Sequence, residues 1–303
     1  MKALVTGATG FIGGRLADAL AADGAGVRCL VRSRSRAAAL DHELHEGDAL
    51  DADSLHGAGE GIDVAYYLIH AMGRGSGADF GEREQAAASN FARMAAREGI
   101  ERLIYLGGLG EPRSQHLRSR HDTAVTLAAE GPPLTYFRAA MVVGSGSESF
   151  RTLYHLADRL PVMIAPAWLR TRTQPIGIDD VLAYLRAAPR TPASTGREIQ
   201  IGGPDVLSYG DMLGAVARAL GKREPAMLPV PLLTPKLSSL WIGLVTPVDA
   251  GVARPLIEGL STETVVKDAS GGRLFDVDPA PLSETVRKAL RERGGLVSGT
   301  DPR

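Results

Sequence analysis

The sequence predicts an α/β fold of the Rossmann type: a doubly wound parallel sheet with a smaller C-terminal substrate-binding lobe. Three observations predict it. In the first half, short apolar runs alternate with segments of helical length, the pattern of repeated strand–helix units. The runs are nearly continuous in apolar residues, as expected of strands whose two faces are both covered by helices. The first run leads straight into a glycine cluster that opens the first helix, the arrangement of a dinucleotide-binding turn.

Ala3 to Thr6 forms the first predicted strand, and Ile12 to Ala22 the first helix, which Gly24 stops. Val27 to Val31 and Val64 to Ile69 are the next strand runs. Glu82 to Arg97 follows as a helix ending at Gly99, then a strand over Leu103 to Leu106. Gln115 to Ala129 is a helix closed by Gly131, and Leu134 to Arg138 is the last regular strand of this half. After about residue 145 the regularity falls and prolines at 161, 166, 175, 189 and 192 break the chain, which points to a lobe built from excursions off the sheet. Ser208 and Asp211 form a capping-box start for one more helix, with Gly221 at its end. The expected division is therefore 1–145 for the cofactor domain, with later segments returning to its sheet. Residues 146–296 form the substrate-side lobe and 297–303 a flexible tail.

Composition excludes several functions. With 34 basic and 35 acidic residues the net charge is −1, so the chain carries no overall footprint for nucleic acid. A single cysteine, Cys29, cannot form an internal disulfide, and no zinc-type spacing exists for it to join. The opening MKALVTG is a buried strand rather than a signal peptide, which makes the cytoplasm the expected setting. The most apolar stretch, 226–248, contains Pro229, Pro231, Pro235, Lys236 and Pro247 and is not expected to span a membrane. His42, Glu43, His45, Glu46 and Asp48 are read as a solvated polar connection and not as a metal site.

Gly7-Ala-Thr9-Gly10-Phe11-Ile12-Gly13 lies between a strand and a helix. Glycine permits the tight turn and the close approach of backbone to a pyrophosphate, while the helix N-terminus offers unpaired N–H groups and a favourable dipole. The Gly-x-x-Gly-x-x-Gly spacing resembles that of the short-chain dehydrogenase/reductase superfamily, especially its extended and atypical branches. The resemblance continues at Gly47-Asp48, where an aspartate of the family meets the adenine, and at Ile69-His70-Ala71 and Asn90. It extends through Arg138 to Gly144, Pro175 to Asp180 and Ile201 to Asp205. Among atypical members the chain is most similar to the NmrA-like NAD(P)-binding oxidoreductases.

An acidic residue at the end of the second strand bonds the ribose of NAD, whereas an arginine there accommodates the 2′-phosphate of NADP. Arg32, Ser33 and Arg34 stand at that place with no carboxylate among them, so NADP(H) is the expected cofactor. Gly7, Thr9, Gly10, Phe11, Ile12, Asp48, His70 and Gly107 complete the expected cofactor contacts.

The resemblance also implies a serine at the end of the fifth strand and a Tyr-x-x-x-Lys pair on the next helix. Gly107 and Gly108 stand where the serine belongs, and His116 and Arg120 where the tyrosine and lysine belong. Three readings follow. His116 is the general acid with Arg120 on the ribose. Alternatively, a substrate ketone beside a phenol, as in an aromatic polyketide of the antibiotic-biosynthesis type, supplies its own proton. Or the protein is a non-catalytic NADP(H) sensor or assembly factor. Met72, Leu109, Met141 and Trp168 are candidate walls of an apolar substrate pocket, which favours an NADPH-dependent ketoreductase of a bulky apolar or aromatic carbonyl compound.

Overall fold

The computed structural model describes residues 1–69, 79–160, 162–165, 167–229 and 260–298. His70 and Met72 lie outside the described residues, as does nearly all of the apolar stretch beyond Pro229.

Seven strands form one parallel sheet. β1 (Lys2–Thr6) lies inside it, with β2 (Gly26–Val31) and β3 (Glu43–Glu46) on one side. On the other side stand β4 (Val64–Tyr67), β5 (Arg102–Gly108), β6 (Leu134–Ala139) and a last strand over Glu198–Ile201. The order reverses between β1 and β4, so a crevice opens beyond their carboxyl ends, where ligands of open α/β sheets bind. β3 is an addition to the sequence reading, which took residues 42–48 as a solvated connection. It is an edge strand whose Glu43 and Glu46 stay exposed, so its composition carries no burial signal.

Both faces are covered. α1 (Phe11–Ala22) packs with the helix over Ile178–Ala187 on one face, where Leu16 and Leu20 meet a core that includes Val181, Leu185, Phe137 and Phe275. α2 (Asp79–Arg97) and α3 (Gln115–Glu130) pack together on the other face, burying Phe91, Ala92, Ala124 and Leu127 against Tyr67, Leu103 and Tyr105. The seventh strand and the 178–187 helix thus return late sequence to the cofactor domain.

The remaining lobe has its own core. After the short strand β7 (Val142–Val143), α4 (Glu148–Arg159) begins with Ser147 as its N-cap, the hydroxyl accepting from the Phe150 amide. In chain order come β8 (Val162–Ala165), β9 (Arg172–Thr173), β10 (Ile176–Gly177), α5 (Ile178–Ala187), β11 (Glu198–Ile201), β12 (Leu207–Ser208), α6 (Tyr209–Ala219) and β13 (Ala226–Pro229). The expected capping box of Ser208 and Asp211 is present at the start of α6. α7 (Leu282–Ser298) ends the described chain, so the tail expected from Val297 begins inside a helix. Phe150 and Leu153 of α4, Met212 and Leu213 of α6, and Val286 of α7 share one core with Trp168. Among the described residues no helix is long and apolar enough to cross a membrane.

Candidate active site

A continuous cleft of about 970 Å³ runs along the carboxyl ends of β1, β4 and β5 to the lobe of α4 and α6. At one end Gly7, Thr9, Gly10, Phe11 and Ile12 form its floor. Gly7 has φ of +65°, and a Cβ there would stand 2.5 Å from the Leu68 carbonyl oxygen. A Cβ on Gly13 would lie 2.3 Å from the Gly7 carbonyl oxygen, so the turn tolerates only glycine at both places. Gly10 is the N-cap of α1 with no side-chain cap, and no acidic residue stands in the first turn. Uncapped N–H groups at a positive helix end, with backbone exposed by glycine, fit the pyrophosphate of a dinucleotide.

The ribose and adenine end is lined by Arg32 and by Asp48 with its neighbours Ala49 and Leu50. Asp48 accepts the Leu50 amide at 3.0 Å, and Asn90 of α2 donates to the Ala49 carbonyl at 3.0 Å, which fixes this wall. Of the three residues expected around a 2′-phosphate, Arg32 alone lines the cleft. Arg34 turns to β3, donating to the Leu44 carbonyl at 2.7 Å and lying 3.8 Å from Glu46, and Ser33 pairs with the Ser35 hydroxyl at 2.8 Å. The edge strand missed in the sequence is what draws Arg34 away.

At the other end stand Gly107, Gly108, His116 and Arg120. The glycines have a packing cause. A Cβ on Gly107 would lie 2.8 Å from the Tyr136 ring, and one on Gly108 would lie 2.7 Å from Leu117 Cδ2. Tyr136 stacks on Tyr105 at 5.2 Å beneath the site, and both phenols are raised by burial, Tyr136 to about 12. These two tyrosines are packing elements. Arg138 of β6 braces the glycine loop, donating to the Gly108 carbonyl at 3.1 Å and to the Gly110 carbonyl, while its third nitrogen holds Glu198 at 2.7 Å.

His116 and Arg120 share one face of α3, as their four-residue spacing requires. Arg120 Nε donates to His116 Nε2 at 3.0 Å. That nitrogen is therefore an acceptor, which puts the imidazole proton on Nδ1. Burial first, and then the Arg120 charge, lower the His116 pKa to about 3. Both effects disfavour the imidazolium proposed as an acid, and the neutral ring accepts a hydrogen bond from Arg120. The missed signal is the i, i+4 cation itself: a neighbouring arginine suppresses a second positive charge.

Leu109 and Met141, two of the candidate pocket walls, line the cleft together with Leu260. Trp168 does not line it. The indole is 6% exposed and packs edge-on against Tyr209 at 6.4 Å, inside the core of the lobe. Residues 167–170 form a short helical turn that α6 covers. Sequence reasoning also missed cleft residues: Glu84 of α2, which accepts from the Ser119 hydroxyl, and Thr123, Tyr209 and Thr264. Tyr209 and Thr264 come from elements whose proximity no linear spacing encodes.

A family model described as NAD(P)H-binding matches residues 7–129, the stretch from the glycine turn through α3. The chain therefore carries an NAD(P)H-binding domain. A ceramide reductase of Caulobacter vibrioides is 26% identical over 97% of this chain and 90% of its own length. Sterol demethylase protein B of Methylococcus capsulatus is 37% identical over 48% of this chain and 52% of its own. The fold is shared with the Citrobacter sp. triphenylmethane reductase complexed with NADP(H), at a TM-score of 0.74 and 16% identity, covering 95% of this chain and all of that one. The Tyr-x-x-x-Lys pair that the resemblance implied is replaced in this chain by His116 and Arg120.

Proposed function

We propose that the protein is an NADPH-dependent ketoreductase of a bulky, largely apolar carbonyl compound, and that its protonation step needs no enzyme acid. The observation that carries this reading is the continuity of the cleft. It leads from the phosphate turn past the Arg120–His116 pair to the apolar wall of Leu109, Met141 and Leu260. Bound NADPH supplies the hydride. Glycine backbone and the first turn of α1 hold the pyrophosphate, and Arg32 favours the 2′-phosphate through charge-assisted bonds. The Arg120 guanidinium, held in place by His116 Nε2, stabilises the negative charge that develops on the carbonyl oxygen.

The proton then reaches that oxygen from the substrate or from water. A neutral imidazole bonded through Nε2 retains only its Nδ1 proton, and giving it up would leave an imidazolate, which is unfavourable near neutrality. A substrate with a hydroxyl beside the ketone meets this need by an internal hydrogen bond. Aromatic polyketides have that chemistry, and so do hydroxylated lipid ketones. The relatives named for a ceramide and a sterol support an apolar molecule of lipid size.

The test is to incubate the purified protein with NADPH and, separately, NADH, against ketones that carry or lack a neighbouring hydroxyl, following nicotinamide absorbance and identifying the alcohol. Turnover that prefers NADPH and hydroxylated ketones is expected. Tight binding of NADPH without turnover across the panel would count against the reductase reading.

A further inference from the structure

Phe11, the first residue of α1, lines the cleft beside Gly10, and its ring is held from two sides. Arg15, one turn along α1, lies over the ring with Cζ 4.7 Å from the centroid, and its Nη1 donates to the Phe11 carbonyl at 3.4 Å. The ring also occupies the room that side chains on Gly144 and Gly146 would need, at 2.6 Å and 2.7 Å from their Cβ positions. Arg15 itself is positioned by residues far away in the chain. Its Nη2 donates to the Ser145 hydroxyl at 3.2 Å, and that hydroxyl donates to Glu292 Oε2 of α7 at 2.7 Å. The Glu292 carboxylate also lies 3.6 Å from Arg15.

The cluster therefore joins three places: the cofactor turn, the loop that leads into α4, and α7. Ser145 is 6% exposed, so the hydroxyl that joins the two charged groups is buried, while Arg15 and Glu292 themselves stay partly exposed. The residues next to Ser145, from Gly146 to Ser149, line the cleft opposite the turn. One polar cluster thus sets both walls. Other ties of α7 are remote from the turn: Lys288 pairs with Asp179 at 2.5 Å, and Asp205 accepts the Leu282 amide at 2.7 Å.

We propose that α7 is a latch on the cofactor turn, with Glu292 as the positioning residue. It holds Arg15 over Phe11, so that dinucleotide binding and docking of α7 strengthen one another. Such coupling is reciprocal by linkage: whatever α7 does for cofactor affinity, the cofactor does for the docking of α7.

The experiment measures NADP⁺ affinity by titration calorimetry and amide exchange along α7 with and without NADP⁺. It uses wild type, Glu292→Ala, Glu292→Gln and Lys288→Ala. In wild type and Lys288→Ala, NADP⁺ is expected to slow exchange across α7. In Glu292→Ala that slowing is lost and the Kd rises about three- to tenfold, the range typical of coupling residues, with Glu292→Gln between the two. Equal protection of α7 in Glu292→Ala and wild type would overturn the latch. So would a Lys288→Ala variant that weakens NADP⁺ as much as Glu292→Ala, because α7 would then be a general prop. The inference rests on a dinucleotide at the turn. Failure of wild type to bind NADP⁺ would remove both it and the proposed function, whereas the two outcomes above remove the latch alone.

Discussion

The two ends of the cleft are built by different kinds of constraint. At the phosphate turn, Gly7, Gly10 and Gly13 sit within seven residues of one another, and each clash that forces glycine is with backbone of the same turn or of the adjacent β4 exit. At the corner of His116 and Arg120, Gly107 and Gly108 are crowded by Tyr136 and Leu117, side chains from a neighbouring strand and helix. The first end is a local device, and the second is a product of packing. Substitutions therefore act differently: at the turn they remove binding, whereas at the corner they alter rate, pH response or stability.

The largest effect is expected at the turn. Gly13→Val places a side chain 2.3 Å from the Gly7 carbonyl oxygen and should weaken NADPH binding by roughly a hundredfold or more, since the backbone must leave its position. Fluorescence titration of NADPH reads this directly, and near-normal affinity would break the comparison from its stronger side.

Next comes the catalytic pair. Arg120→Met should lower kcat by about a hundred- to a thousandfold, the cost of removing one preorganised stabiliser of an oxyanion. His116→Phe should cost about tenfold or less, because the histidine orients and does not protonate. A hundredfold loss in His116→Phe, with a wild-type kcat/KM profile breaking near pH 6.5, would restore the histidine as the acid.

A smaller effect sharpens the cofactor end. Arg32→Ala should reduce the preference for NADPH over NADH by about tenfold or more, as loss of a charge-assisted bond implies, and Arg34→Ala should change it much less. Ratios of kcat/KM for the two cofactors decide it, and equal effects would put Arg34 back on the phosphate.

The smallest is a pH effect on stability. His116 remains neutral in the fold, while in the unfolded chain it takes up a proton below its ordinary value of 6.5. Its folded pKa is depressed to about 3, so its contribution is complete above 6.5 and is lost as the pH falls toward 3. His116→Phe should flatten part of the fall in Tm between pH 7 and 4. His155, lowered to about 4 by burial and by the nearby Arg293, preserves the rest. Identical Tm profiles for variant and wild type would show that His116 is more exposed than the fold implies.

Much of the architecture was legible because its signals are periodic or local. Continuous apolar runs marked five of the seven sheet strands, helix stops fell at Gly24 and Gly99, both with positive φ, and Ser208 announced α6. β3 was hidden because an edge strand is half solvated and reads as polar loop. Trp168 was misplaced because a large aromatic reads the same in sequence whether it faces a pocket or a core.

The sequence by itself determined the doubly wound fold, the phosphate turn and the place of the histidine–arginine pair, since backbone sterics and side-chain periodicity act over a few residues. Only the tertiary structure decided what that pair can do. The protonation of His116 depends on burial between α3 and the sheet and on the direction of one arginine hydrogen bond. The choice of Arg32 over Arg34 depends on a strand edge, and the tie from Phe11 to Glu292 spans nearly the whole chain. Desolvation and long-range contact arise only when distant segments meet, and no spacing along the chain records them.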